Sequence, residues 1–187
     1  DEERLRGQGV VFNPSILVYE NLVRLMRAGG VEILLEVPMY HFKTDEGVLK
    51  QQGLVSPAYL VVHPAAFSPA RSLPPERWAL LLGLVAKNNP ALKIVVTGSV
   101  QDRAFIQKFL PKVPQAHVIN LAGSLSMTEL AQVILSARGF VGVDTGITHL
   151  AGVLRQKSVV IGNLSNPCWL PRYNKNAVIL AESKNCT

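Results

Sequence analysis

Cysteine is almost absent from this sequence of 187 residues, which contains only Cys168 and Cys186. Two cysteines are too few for a disulfide framework or a zinc cluster, so we expect free thiols in a reducing compartment. Aromatic residues make up only 6% of the chain, which disfavours a base-stacking surface and therefore a nucleic-acid-binding protein. No apolar run approaches the roughly 20 residues of a membrane span, and the charged N-terminus lacks the apolar core of a signal peptide.

Three motifs of common nucleotide and hydrolase sites are also missing. The first predicted strand is not followed by G-x-G-x-x-G, and the sequence contains neither a G-x-x-x-x-G-K-[ST] loop nor a G-x-S-x-G elbow. These absences disfavour a dinucleotide-binding domain, a P-loop NTPase and a serine hydrolase. His63, His117 and His149 lie far apart without an acidic pair beside them, so their spacing does not indicate a metal site.

The remaining composition indicates a packed domain. Hydrophobic residues make up 48% of the chain and charged residues 17%, and the length suits one domain or one domain with an arm. The net charge of +6 suits phosphorylated small molecules or an anionic membrane surface. Because the basic residues are scattered, a generally solvated basic surface explains the charge equally well.

From Tyr59 onward, short apolar runs alternate with stretches of helical spacing. This alternation predicts an α/β domain with a doubly wound, Rossmann-like parallel sheet covered on both faces. Ligands bind such sheets at the carboxyl ends of the strands. The predicted strands are 59–62, 92–96, 117–121, 140–143 and 158–161, with another at 178–180; the predicted helices are 75–88, 101–110, 127–137 and 147–154.

The first 58 residues are too few for a doubly wound domain of their own. We therefore divide the chain into an arm with an interdomain-type helical segment, residues 1–58, and a ligand-binding domain, residues 59–187. Within the first part we predict a loose arm at 1–13, a helix at 14–28 closed by two glycines, a strand at 31–37 and a short helix at 44–52.

The most informative segment is Gly139–Gly152, with the sequence GFVGVDTGITHLAG. Its apolar start predicts a buried strand, and a helix follows the turn formed by Asp144, Thr145 and Gly146. In that turn Asp144 is a good helix N-cap, and Gly146 lets a ligand approach the backbone closely. A strand that opens a helix in this way leaves N–H groups that favour an anion such as phosphate. His149 lies about one helical turn inside the predicted helix.

Three further segments precede this turn in a fixed order. They are His63–Trp78 (HPAAFSPARSLPPERW), Ile94–Asp102 (IVVTGSVQD) and Asn120–Leu130 (NLAGSLSMTEL). Together with the turn, they resemble the C-terminal half of the bacterial family-nine glycosyltransferases, the lipopolysaccharide heptosyltransferases. The resemblance extends from about residue 59 to residue 173, and four ordered motifs are a more specific signal than any one of them.

This resemblance implies the donor-binding half of a GT-B type glycosyltransferase. Such an enzyme would transfer a sugar, heptose from ADP-heptose, to a lipopolysaccharide-type acceptor without a metal or another cofactor. The resemblance also implies a cytoplasmic enzyme of lipopolysaccharide biosynthesis, peripherally associated with the inner face of the inner membrane, without a nucleic-acid partner. The acceptor site and the general base would belong to a missing N-terminal domain, so we predict no catalytic residue in this chain and no activity of this half alone.

The resemblance assigns donor contacts to specific positions. Arg71, Asp102, Asp144, Thr145, Gly146 and His149 are predicted to bind the donor, and His63, Ser68, Thr97 and Gly98 are further candidates. Several have structural alternatives: His63 would shape the loop before Pro64, and Asp102 would place a charge at a helix N-terminus. Trp78 is expected in the core, and Ser126 with Glu129 predicts a capping box.

Residues 161–167 depart from the Phe-Gly-Pro-Thr that the family usually shows after the fifth strand. The sequence therefore leaves the sugar and the nucleotide base open. Two alternative functions also stay open: a module that binds a nucleotide sugar without transferring it, and a nucleotide-sugar epimerase of similar fold.

Overall fold

The computed structural model describes residues 18–32, 45–68, 71–162, 171 and 174–181. The predicted arm at 1–13, most of the predicted strand at 31–37, the departing motif at 163–167 and both cysteines lie outside these residues. The strands are β1 (Tyr59–His63), β2 (Lys93–Val96), β3 (Val118–Asn120), β4 (Gly139–Val143), β5 (Ser158–Gly162) and β6 (Ala177–Ala181). The helices are α1 (Val18–Ala28), α2 (Glu46–Gln51), α3 (Pro75–Asn88), α4 (Arg103–Ile106), α5 (Met127–Leu135) and α6 (Gly146–Val153).

The six strands form one sheet in the order β3-β2-β1-β4-β5-β6, and every neighbouring pair is parallel. The chain first builds the sheet outward from β1 to β3 and then returns to add β4 to β6 on the other side. The predicted doubly wound parallel sheet is therefore confirmed. The order reverses between β1 and β4, and in sheets of this type the ligand crevice lies at that switch point, beyond the carboxyl ends of the strands.

The core has two layers because alternate strand residues point to opposite faces of the sheet. Val61 and Phe140 pack on one face with residues of α2, α5 and α6. Val62 and Val143 pack on the other face with residues of α3 and α4. Trp78 is fully buried in this second layer, with its ring centroid 6.3 Å from that of Phe109, so its predicted core role is confirmed. The two helical layers hold the strand ends, and thus the loops beyond them, in fixed positions.

Several helix boundaries differ from the sequence-based expectation. The helix predicted at 101–110 is one short turn, α4, followed by a 3-10 helix at Leu110–Lys112. Pro111 explains the difference, because its ring clashes with the carbonyl four residues earlier in a continuous α-helix. The predicted capping box is confirmed, since Ser126 accepts from the Glu129 amide while the Glu129 carboxylate accepts from the Ser126 amide.

Candidate functional site at the carboxyl edge of the sheet

The turn after β4 opens α6 through Thr145 rather than Asp144. The Thr145 hydroxyl accepts a hydrogen bond from the Thr148 amide at 3.4 Å, with Thr145 in an extended backbone conformation. The expectation that Asp144 caps this helix is therefore wrong, because the helix begins one residue later than that role requires. The Asp144 carboxylate is left for other partners. The amides of Gly146 and Ile147, in the first turn, have no intrahelical acceptor.

The backbone at Gly146 is accessible. Among the described residues, a Cβ atom built on this glycine would meet no other atom within 4 Å, so the packing of these residues does not itself require glycine there. An accessible first helical turn allows an anionic group to approach the amides, where the helix dipole also favours negative charge. The position is thus suited to the close ligand approach predicted from the sequence.

Arg71 and Asp144 meet across the switch point. Arg71 lies in the loop after β1, and its Nη1 atom is 3.9 Å from Oδ2 of Asp144. The Arg71 side chain is 59% exposed and the Asp144 side chain 21% exposed. The carbonyl of Ser68 accepts a hydrogen bond from the Arg71 amide at 2.9 Å, which fixes the backbone that presents the guanidinium. Two residues that are 73 positions apart in the sequence therefore place opposite charges at one edge of the sheet.

His63 and Thr97 form a buried pair at the carboxyl ends of β1 and β2. His63 is only 7% exposed, and its Nδ1 atom lies 3.0 Å from the Thr97 hydroxyl oxygen. The same hydroxyl oxygen lies 3.3 Å from the Val62 carbonyl oxygen, so Thr97 contacts both the His63 side chain and the backbone of β1. Burial lowers the pKa of His63 to about 4, although the negative charge of Asp102 acts in the opposite direction. His63 is thus a neutral imidazole that joins two strands, which favours the structural alternative for this residue.

Asp102 is held by the loop that it follows. Its Oδ2 atom accepts from the amide and the hydroxyl of Ser99, both at 2.7 Å, and its side chain makes no capping bond to α4. Gly98 packs tightly against this loop, since a Cβ atom there would lie 3.1 Å from both Asp102 Cβ and Ile106 Cδ1. The carboxylate is therefore fixed in place.

Arg103 is a feature of the edge that the sequence did not reveal. Its guanidinium donates to the carbonyls of Ala122 at 2.9 Å and Gly123 at 3.2 Å, and the Gly123 amide donates to Gly98 at 2.7 Å. Gly123 adopts φ +68°, and a Cβ atom there would lie 2.7 Å from Cγ2 of Val100. These contacts join the loops after β2 and β3. An arginine at the start of a helix carries no spacing signal in the sequence.

A cavity of about 470 Å³ lies beside Asp102. It is bounded by the loop after β1, the start of α3 and one side of α4, with apolar walls from Ala65, Leu73, Pro74 and Phe105 and a cation, Lys108. The cavity leaves no motif in the sequence, because most of its walls come from ordinary apolar residues of two separate segments. Within the part of the chain that the structure describes, no cluster of three or more His, Cys, Asp or Glu residues could hold a metal ion. The same residues include no helix of the length and apolar character that a bilayer crossing requires.

Comparison with known proteins identifies the family of this chain. Residues 26–187 match the family model of glycosyltransferase family 9 (heptosyltransferase). The chain belongs to this family. It is 28% identical over 121 residues to lipooligosaccharide heptosyltransferase 2 of Haemophilus ducreyi, an alignment that covers 62% of this chain and 34% of the relative.

Solved structures show that this family 9 chain shares the parallel α/β fold of about half of a heptosyltransferase. The structure of Escherichia coli ADP-heptose lipopolysaccharide heptosyltransferase II matches with a TM-score of 0.77 at 23% identity, covering 91% of this chain and 56% of that one. The E. coli heptosyltransferase WaaC, solved with ADP-2-deoxy-2-fluoro heptose, matches with a TM-score of 0.59 at 21% identity, covering 87% and 48%. The chain thus spans between about a third and a little over half of the length of these relatives.

The structure arranges the predicted residues of this family 9 chain in two neighbouring groups. Arg71 and the turn of Asp144, Thr145 and Gly146 lie at the switch point, and the Thr145 carbonyl accepts from the amide of half-buried His149 at 3.3 Å. The second group, at the ends of β1 and β2, contains His63, Thr97, Gly98 and Asp102. The binding roles assigned to these residues from the sequence stay predictions.

Proposed function

We propose that this chain binds the diphosphate of a nucleotide sugar at the switch point between β1 and β4. The observation that carries the proposal is the pairing of Arg71 with Asp144, two residues before the exposed Gly146 that begins α6, which places an exposed cation close to the first turn of that helix. A guanidinium and helix amides together form a common anion-binding arrangement. Family membership and the ADP-sugar bound in the WaaC structure support the same ligand class.

The proposed reaction is transfer of heptose from ADP-heptose to a lipopolysaccharide core acceptor. Negative charge develops on the leaving diphosphate as the bond to the sugar breaks, and prepositioned donors stabilise that charge most effectively. Arg71 and the amides of Gly146 and Ile147 would supply this stabilisation without a metal ion. The Thr145 hydroxyl would bind a phosphate oxygen or a sugar group, and His149 would donate a hydrogen bond to the diphosphate.

Asp144 would have a different task in this site. A carboxylate repels phosphate, whereas it accepts hydrogen bonds from the neutral hydroxyl groups of a sugar. We therefore assign Asp144 to the transferred sugar and Asp102 to the ribose of the nucleoside. No side chain of this chain is assigned as the general base, which we place in a second domain together with the acceptor site. Cytoplasmic location and peripheral association with the inner face of the inner membrane belong to the same proposal.

Calorimetric titration of the chain with ADP and with ADP-heptose tests the proposed function. We expect both to bind, and we expect Arg71→Gln to weaken both because it removes a cation from the crevice. Arg138→Gln is a matched control, since Arg138 is an exposed arginine that precedes β4 at the opposite edge of the sheet. Absence of binding, or equal effects of the two substitutions, would overturn the proposal.

A further inference from the structure

At the switch point, a carboxylate that does not cap a helix lies beside a cation. Asp144 Oδ2 lies 3.9 Å from Arg71 Nη1, one residue before the N-cap of α6. An anion bound by Arg71 and the α6 amides would therefore lie close to a like charge. A site that bound phosphate alone would gain affinity by replacing this residue with a neutral one.

The carboxylates of Asp102 and Asp144 at this edge differ in the partners that compensate their negative charge. Ser99 donates two hydrogen bonds of 2.7 Å to Asp102. Asp144 instead faces an arginine that is 59% exposed, and water screens the charge of such an exposed partner. Asp144 is the less exposed member of the pair, so water screens its charge less than it screens the charge of Arg71.

From this geometry we infer that Asp144 determines specificity by discriminating against a free nucleoside diphosphate in favour of its sugar conjugate. The inference rests on the proposed function. The terminal phosphate of a free diphosphate carries an additional negative charge that the sugar ester lacks, because one of its oxygens is no longer blocked by the sugar. The carboxylate repels that additional charge, while it accepts hydrogen bonds from the sugar when the ester is present. Asp144 would thereby promote release of the nucleotide after transfer and limit inhibition by it.

The test is the ratio of the dissociation constants for ADP and ADP-heptose, measured by calorimetry on the chain and its variants. We expect Asp144→Asn to lower this ratio about five- to tenfold, since a unit charge a few ångströms away in a mostly aqueous site has about that effect. ADP should bind more tightly to the variant, and ADP-heptose should not. Arg71→Gln should raise the ratio, because it leaves the carboxylate without its cation.

Glu76→Gln is the matched control, because Glu76 is an exposed carboxylate in the first turn of α3 at the same edge. It removes the same charge and should leave the ratio unchanged. Equal tightening of both ligands by Asp144→Asn, or the same ratio change in Glu76→Gln, would overturn the inference while leaving the proposed function intact. Failure of either ligand to bind the unmodified chain would overturn the proposed function and this inference with it. If Asp144→Asn does not fold, Asp144→Ser removes the same charge and should lower the ratio in the same direction.

Discussion

The two sides of the carboxyl edge are built differently. On the side of β1, β2 and β3, buried or bidentate contacts join the strand ends: His63 bonds Thr97, and Arg103 bonds two carbonyls of the loop after β3. At the junction of β1 and β4, a partly exposed ion pair of 3.9 Å connects the loops. The contacts on the first side therefore stabilise the fold, while the charges on the second side are available to a ligand. The contrast predicts that substitutions on the first side change stability and substitutions on the second change binding.

The largest expected effect on the side of β1, β2 and β3 is the loss of folding stability when acid protonates His63. Its pKa is lowered to about 4 by burial, so the unfolded chain takes up a proton near pH 6.5 while the folded chain does not. The contribution of His63 to the free energy of unfolding is therefore fully present above pH 6.5. It falls as the pH decreases from 6.5 to 4, by about 3 kcal/mol in total. Urea unfolding of the chain and of His63→Gln across this range measures it. Equal slopes with pH in the two proteins would show that another group is responsible.

The next effect compares two glycines of the edge. Gly123→Ala should cost about 2 kcal/mol of unfolding free energy, because alanine is strained at φ +68° and its Cβ would contact Val100. Gly146→Ala introduces a methyl group where no atom of the described residues lies within 4 Å. It should change stability by less than about 0.5 kcal/mol but weaken binding of ADP-heptose. Denaturant unfolding measures the stability of both variants, and calorimetry measures their affinity for ADP-heptose. A loss of stability in both variants would remove the contrast between the two sides.

A smaller effect is expected at Thr145, whose hydroxyl is predicted to contribute both to stability and to binding. Thr145→Val removes the N-cap bond of α6 and should cost about 1 kcal/mol of stability. It should also weaken binding of ADP-heptose by about 1–3 kcal/mol, if the hydroxyl contacts the ligand. Thr145→Ser keeps the hydroxyl and should preserve both properties. A variant that loses stability but retains full affinity would assign Thr145 to helix capping alone.

The sequence allowed prediction of the sheet but not of these local contacts. The strands followed from apolar runs, and their common edge followed from parallel topology. The pairing of His63 with Thr97 depends on strand order, which places β1 beside β2, and the position of the N-cap depends on where the helix begins. Arg71 and Asp144 were both predicted from motifs, whereas their proximity comes from the adjacency of β1 and β4. Arg103 bonds main-chain carbonyls, which leave no residue-type signature in the sequence.

The last comparison uses two arginines, one from each side of the edge, and it includes the smallest expected change in stability. Arg71→Gln breaks an exposed ion pair and should change the unfolding free energy by less than about 0.5 kcal/mol. Arg103→Gln removes two hydrogen bonds that join the loops after β2 and β3, and should cost about 1–2 kcal/mol. In binding, the order reverses: Arg71→Gln should reduce the salt dependence of ADP affinity, since a cation that contacts the diphosphate is lost. Arg103→Gln should leave that dependence nearly unchanged. If Arg103→Gln instead reduced the salt dependence as much as Arg71→Gln, the side of β1, β2 and β3 would also bind the charged part of the ligand.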